Sequence, residues 1–462
     1  MVRWNRRWQC CFSEPISRAG PDVRKDDRVG KFGAASRGGE IRVLIENGEY
    51  WLRNRGDIAM MAVTVQRLRE HWPAARVGIL TDQPRILPAL LPQAEPVCLA
   101  DGGRWHRPGA PARLASPVAL RWRAATDGPK AALRALRRRG RDAEYDLPEP
   151  PLPEAVADAT LVLAQGGGYL TDVDRYQAHR VLNLLEHARS LGIPTAMIGQ
   201  GVGPIEDPRL LERAAQVLPR VGFIALREGR RGPRLLTGLG VPADRIMVTG
   251  DDAVELAYRL RRETLGTDLG ICLRVADYAR VSASARTTLG TIVRTFAAEA
   301  DAALAPLIIS EYDSEDRRCT LPLLTGAART RRAAGRGATA ADVARQVSRC
   351  RVVVTSAYHL AVFALSQGIP AVGITVSRYY DDKFHGLAEM FGTGLHVVDL
   401  DDPKLAHTLT AAIRHLWAEA PALRDPLQAR AVAQIDAART GLDRVFRLVE
   451  GETTTVPAQG DR

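Results

Sequence analysis

From about residue 41 to residue 400, short apolar runs alternate with stretches of helical spacing, and most runs end in glycine or a charged residue. In the first half, strands are predicted at 41–45, 76–80, 159–164, 195–198, 223–227 and 246–252. Helices are predicted at 58–71, with Asp57 as its cap, at 174–191, and from Asp207-Pro208 onward, where a capping carboxylate precedes a first-turn proline. In the second half, strands are predicted at 269–273, 306–310, 351–355 and 371–374, with a helix at 285–303. Two junctions echo one another, Leu191-Gly192-Ile193-Pro194 and Gln367-Gly368-Ile369-Pro370, each between a helix and an apolar strand. This alternation implies mostly parallel sheets with right-handed crossovers. The repetition predicts two α/β domains of the same kind facing a cleft.

The boundaries follow from composition. Residues 1–40 read as a disordered basic tail, 41–260 as the first domain with a basic insert at 102–153, and 261–402 as the second domain. Residues 403–450 read as C-terminal helices, about 403–418 and 425–449, and 451–462 as a disordered tail. Net charge is +11, but it is local. Residues 1–40 carry +4 and residues 102–143 carry +9, which leaves the remainder at −2. The tail and insert read as Arg-biased, poorly ordered segments, with one helix near 130–139. They can attract phosphate or anionic lipid, which allows peripheral membrane contact. A near-neutral body without an aromatic stacking platform argues against a nucleic-acid partner. The six cysteines show no CxxC spacing and no zinc-like cluster, so the expected setting is a reducing cytoplasm with no bound metal. Residues 352–377 contain no charge, but Gly368 and Pro370 interrupt them. A strand, a buried helix, a turn and a second strand fit better than a membrane span.

Parallel sheets present ligand sites at the carboxyl ends of their strands. That rule selects Asn54, Asp57, Gly166-Gly167-Gly168, Gly199–Gly203, Arg227, Asp251, Arg274 and Ser356-Ala357-Tyr358-His359. The triple glycine could bring backbone N–H groups to an anion at a helix start, or form a tight turn that only needs positive φ. Gly199–Gly203 lacks the third glycine of a dinucleotide fingerprint. Arg227 and Arg274 can each clamp a carboxylate or phosphate through paired hydrogen bonds, or serve a structural ion pair. His359 opens an apolar helix, whose positive end disfavours the charged ring, and a neutral imidazole suits proton transfer. Lys383 follows the 371–374 strand, where it reads either as a phosphate ligand or as a loop lysine.

Seven pieces in order resemble the polysaccharide pyruvyl transferase family. They are Asn54-Arg55-Gly56-Asp57, Gln165-Gly166-Gly167-Gly168-Tyr169-Leu170, Ile198 through Pro204, Ala225-Leu226-Arg227-Glu228, Thr249-Gly250-Asp251, Gly270 through Arg274, and the His359 motif with Gly368-Ile369-Pro370 and Lys383. The resemblance implies two Rossmann-like domains facing a cleft, similar to the glycosyltransferase-B architecture. It implies phosphoenolpyruvate as co-substrate, with no metal or redox cofactor, and a sugar diol of a glycan or lipid-linked precursor as acceptor. The product would be a pyruvate ketal destined for a cell-envelope polysaccharide. His359 would move the proton. Asn54, Asp57, Gly167, Gly168, Arg227, Asp251, Arg274, Ser356, Tyr358 and Lys383 would bind substrate. The family commonly has Arg-x-His where this chain has Ala357-Tyr358-His359. Either Arg227, Arg274 or Lys383 supplies that charge, or the donor differs. The alternatives are a sugar-nucleotide-dependent glycosyltransferase and a ligand-binding member without turnover.

Overall fold

The computed structural model describes residues 40–99, 152–275, 281–312, 316–376 and 378–451. The predicted tail at 1–40 except its last residue, most of the basic insert with its helix near 130–139, and the tail at 451–462 except its first residue lie outside the described residues.

Two all-parallel sheets form the frame. The first contains β1 (Arg42–Glu46), β2 (Arg76–Leu80), β3 (Glu95–Val97), β4 (Leu161–Gln165), β5 (Thr195–Gln200), β6 (Phe223–Leu226) and β7 (Ile246–Val248), in the order β3-β2-β1-β4-β5-β6-β7. The second contains β8 (Asp268–Cys272), β9 (Leu304–Pro306), β10 (Cys350–Thr355), β11 (Ala371–Thr375) and β12 (Leu395–Asp399), in the order β12-β11-β10-β8-β9. Helices alternate with them: α1 (Arg55–His71), α2 (Leu87–Leu90), α3 (Arg175–Ser190), α4 (Pro208–Val217), α5 (Gly232–Gly238) and α6 (Ala253–Arg259) in the first half. The second half carries α7 (Ala283–Glu299), α8 (Asp316–Thr320), α9 (Ala340–Val347), α10 (Tyr358–Ser366), α11 (Arg378–Phe391) and α12 (Leu405–Glu450). The fold is α/β with two Rossmann-like halves. The uncharged stretch resolves into β10, α10 and β11, and among the described residues no helix is long and apolar enough to cross a membrane.

Helix α1 sets the geometry of the cleft. Its cap is Asn54, whose side chain accepts from the Gly56 amide at 3.1 Å. Asp57, the predicted cap, lies instead in the first turn, because Arg55 and Gly56 are already helical. Ile58, Met61, Val65 and Leu68 pack into the first half's core. Ala59 and Met60 join an apolar cluster shared by both halves, with Ala253 of α6 and with Val353 and Leu360 of the second half. A helix apolar on several faces must be enclosed, and this one lies between the two halves with its N-terminus in the cleft.

Three further expectations change. The strand predicted at 306–310 is shorter and earlier, because Ser310 leaves the sheet to bridge Asn54. Lys383 sits in α11 rather than a loop. The two predicted C-terminal helices are one 46-residue helix, α12, with Pro421 and Pro426 inside it. A proline leaves the carbonyl four residues earlier without its helical donor. For Pro421 that carbonyl is Trp417, and Arg351 Nε donates to it at 2.9 Å.

Candidate active site

Loops at the carboxyl ends of β6, β7, β8 and β10 bring the charged groups together. Arg227, directly after β6, is buried, and its guanidinium lies 4.4 Å over the Tyr358 ring. Its Nη1 is 3.9 Å from Asp251 Oδ2. Gly201, after β5, faces the same guanidinium, and a Cβ there would lie 2.7 Å from Nη2. Gly201 therefore serves this close approach of backbone to arginine, whereas Gly203 adopts a positive φ of 90° and faces Leu235.

Asp251 follows β7. Its Oδ1 accepts from the Ala253 amide at 2.9 Å, and its Oδ2 faces His359 Nε2 at 3.5 Å. Burial alone would raise its pKa, but the charges of His359 and Arg227 hold the carboxyl below its ordinary value. His359 occupies the first turn of α10, and its ring lies against Gly56 of α1, where any side chain would overlap the imidazole. The ring therefore faces the Asp251 carboxylate as well as standing at the helix end. The Tyr358 hydroxyl, also buried, has no hydrogen-bond partner among the described residues.

Arg274, beyond β8, is committed to an ion pair. Its Nε and Nη2 fork onto Asp316 at 2.8 and 3.1 Å. Asp316 Oδ2 also accepts from the Ile309 and Ser310 amides. The Arg274 amide donates to Ser356 Oγ at 2.6 Å, so Ser356 ties the β8 and β10 exits together. Lys383, half-buried on α11, lines one narrow crevice with Arg227 and Glu228. Burial, with the charges of Arg227 and Arg274, holds its ammonium well below the ordinary lysine value, and Asp57 opposes that shift.

The triple glycine works differently from the expectation. None of Gly166, Gly167 and Gly168 has positive φ, and the next α-helix begins only at Arg175. The run thus lies at no helix N-terminus. A Cβ at Gly166 would run into the Gly199 carbonyl, and Gly167 O accepts from the Gly201 amide at 3.0 Å. Close backbone packing between the β4 and β5 exits is what requires Gly166, while a Cβ at Gly167 would meet the Tyr169 ring at 3.0 Å. Asn54 caps α1 and bridges Ser310, while Asp57 stays half-buried beside Gly167.

Sequence reasoning missed several groups. Glu49 accepts from the Tyr312 hydroxyl at 2.7 and 2.9 Å and from the Arg53 amide at 2.7 Å, joining the two halves. Burial, then the neighbouring Asp57 charge, push its pKa up to about 7. Asp252 is likewise pushed up to about 7 by burial, against the opposing charge of Arg67. Arg55 donates across the halves to the carbonyls of Ala338 at 2.6 Å and Arg336 at 2.7 Å. A preceding strand end could have flagged Glu49. Nothing local marks Asp316.

Among solved structures, the chain is similar in fold to a putative UDP-N-acetylglucosamine 2-epimerase from Listeria monocytogenes, at 12% identity and TM-score 0.54, over 90% of this chain and 98% of that one. It is similar also to the UDP-GlcNAc 2-epimerase of Neisseria meningitidis bound to UDP-GlcNAc, at 12% identity and TM-score 0.51, over 88% and 100%. These likenesses fit the glycosyltransferase-B type of architecture. No curated protein matches the sequence. The family model for polysaccharide pyruvyl transferase matches residues 54–378, a span that runs from the α1 cap through β11 and contains Arg227, Asp251, Arg274 and His359 but neither Glu49 nor Lys383. The chain belongs to the polysaccharide pyruvyl transferase family, a family of transferases.

Proposed function

We propose that this enzyme transfers the pyruvyl group of phosphoenolpyruvate to two hydroxyls of one sugar, giving a cyclic ketal and inorganic phosphate. The observation that carries the reading is that Arg227 lines one crevice with Lys383 and also lies beside Asp251, which in turn faces His359. Protonated His359, its charge supported by Asp251, delivers a proton to C3 of the enol. The cation that develops at C2 is captured by one sugar hydroxyl, which loses its proton. Phosphate then leaves, and the second hydroxyl closes the ketal and loses its proton in turn. Arg227 and Lys383 hold the donor's carboxylate and phosphate, with Tyr358 Oη as a neutral donor beside them. Asp57 faces the acceptor hydroxyls. Arg274 and Ser356 keep the β8 and β10 exits in register. Ala357 is buried within the apolar cluster, so Arg227, stacked on Tyr358, carries the charge that the family's usual arginine would bring.

As written, the reaction needs neither metal nor redox cofactor. The acceptor would be a glycan or a lipid-linked sugar on the way to an envelope polysaccharide, and the place of reaction the cytoplasm. Four free thiols among the described residues, Cys98, Cys272, Cys319 and Cys350, support a reducing compartment. A basic insert offers peripheral contact with anionic membrane.

The test is thermal stabilisation by phosphoenolpyruvate beside UDP-GlcNAc, followed by phosphate release with candidate acceptors. Stabilisation by phosphoenolpyruvate, lost in Arg227→Ala, supports the reading. Stabilisation by UDP-GlcNAc alone sinks it in favour of a sugar-nucleotide glycosyltransferase, the reading that the fold of the UDP-GlcNAc-bound neighbour favours second. Donor binding without turnover, unchanged in His359→Ala, would indicate a binding protein.

A further inference from the structure

We propose that Arg55 is a positioning residue: it pins the first turn of α1 to the second half of the molecule, and through that turn it holds the His359 ring in place. The proposal rests on the transferase reading only in making His359 the proton donor. Gly56 lies so close to that ring that a Cβ would fall 2.2 Å from its Cγ and Nδ1. Asp57, which faces the acceptor in the same reading, stands on the same turn. Whatever fixes this turn therefore fixes one wall around the ring.

Arg55 is buried, and its guanidinium gives all three nitrogens to backbone carbonyls. Nε donates to Ala338 at 2.6 Å, Nη2 to Arg336 at 2.7 Å and Nη1 to Leu52 at 2.9 Å. A buried charge that meets carbonyls rather than a carboxylate adds little stability, whereas a planar fork held at three points fixes direction. Leu52 has a φ of 56°, in the left-handed region that disfavours an L side chain. Such strain persists where the surroundings impose it, and the bond from Arg55 is part of those surroundings. The far end of the fork is firm. Residues 329–338 form a strap tied to the second half at four points. Thr330 bridges to Leu304 of β9, and Arg331 forks onto Asp268 of β8. Gln346 of α9 donates to the Arg332 carbonyl at 2.8 Å, and Arg317 of α8 to the Ala334 carbonyl at 2.7 Å. The main chain adds one further link, since the Arg55 amide donates to Ile309 O at 2.8 Å and the Glu311 amide to Arg53 O at 3.1 Å. That link survives loss of the Arg55 side chain, so the turn would pivot on it rather than unfold.

The test follows carbethoxylation of each histidine by diethyl pyrocarbonate, read by peptide mass spectrometry on the full chain, in wild type, Arg55→Lys and Arg55→Met. His359 is buried and should react slowly in the wild type. In Arg55→Met it should react about tenfold faster, because three hydrogen bonds no longer hold the turn against local opening. Arg55→Lys, which keeps the charge but lacks the planar fork, should fall between. His179 and His396, half-buried in the first and second halves, should keep their wild-type rates. Arg317→Gln leaves α1 unaltered and unties the strap at Ala334. It should move His359 in the same direction by a smaller factor, so the test does not depend on the folding of Arg55→Met. Equal His359 rates in all four proteins overturn the proposal. A joint rise at His359, His179 and His396 also overturns it, because Arg55 would then hold the fold as a whole. The donor reading fails separately: phosphoenolpyruvate that gives wild-type His359 no protection sinks that reading and leaves the dependence on Arg55 standing.

Discussion

Gly56 lies where the backbone of α1 passes flat against the His359 imidazole. A methyl group there can be accepted only if the ring or the helix end moves. Overpacking of this kind costs about 1–3 kcal/mol, and a displacement of about 1 Å at a reacting group can cost about a hundredfold in rate. Gly56→Ala should therefore lose turnover by one to two orders of magnitude with a modest fall in Tm, roughly the size overpacking implies. Gly238→Ala, where a Cβ meets nothing within 4 Å, should leave both unchanged. Equal behaviour of the two variants would show that the ring is not held there. Glu49 permits a test by pH. Its carboxyl stands at about 7 in the folded chain against an ordinary 4.5. The native state thus holds a proton that the unfolded state has lost between those values, so stability falls as pH rises from about 4.5 to about 7 and is level above. Integrated, the effect is on the order of 3 kcal/mol. Glu49→Gln, which keeps a neutral side chain at every pH, should gain on wild type between pH 5 and pH 8. A difference in Tm that does not change with pH would mean that Glu49 is solvated.

At the scale of elements, α12 continues through Pro421 because another element supplies the missing donor. Arg351, on β10, gives its Nε to Trp417 O and lies 5.3 Å from the Trp417 ring. Arg351→Met leaves a carbonyl unpaired, which costs about 1–3 kcal/mol. In a Pro421→Ala background the helix makes that bond itself. The loss from Arg351→Met should then shrink by about half or more, which a double-mutant cycle in denaturant would show. Identical losses in both backgrounds would mean that the arginine acts elsewhere. The same case marks what the sequence could not tell. Strand–helix alternation and the Gly-Ile-Pro junctions were legible because each is local, so β1, β2, β4 to β7 and β8 to β11 were all placed, within a few residues. Strand β3 is Glu-Pro-Val, with a proline at its centre, and β12 has His396 second and closes on Asp399, so neither shows the apolar run by which the other strands were read. Two prolines in α12 read as a break, since the compensating arginine is 66 residues away. In the site, His359, Arg227 and Asp251 could be named from strand-end position alone. Asp316 could not, because its link to Arg274 spans 42 residues and follows no motif.

For the whole molecule, two sheets suggest two folding units, yet their cores are not separate. Ala59 and Met60, carried by a helix of the first half, lie in one apolar cluster with Val353, Leu360 and Phe363 of the second. Helix α12 spans the same divide. Its Leu409, Ile413 and Leu416 pack in the second half's core, its Leu427 and Ile435 in the shared cluster, and its Leu442, Val445 and Phe446 under the first sheet. Arg55 adds polar bonds across the halves at the Ala338 and Arg336 carbonyls. Neither half can unfold without exposing apolar surface of the other, and burial of such surface is the main favourable term in folding. Calorimetry should therefore show a single transition, with van't Hoff and calorimetric enthalpies in agreement. Met60→Ala, which empties a fully buried site at the junction, should lower that transition by about 2–5 kcal/mol without splitting it. Two resolved transitions in the wild type would mean that the shared cluster does not couple the halves. If they appear only in Met60→Ala, that side chain is the main link between them, and its loss should loosen the cleft in which Gly56 and His359 meet.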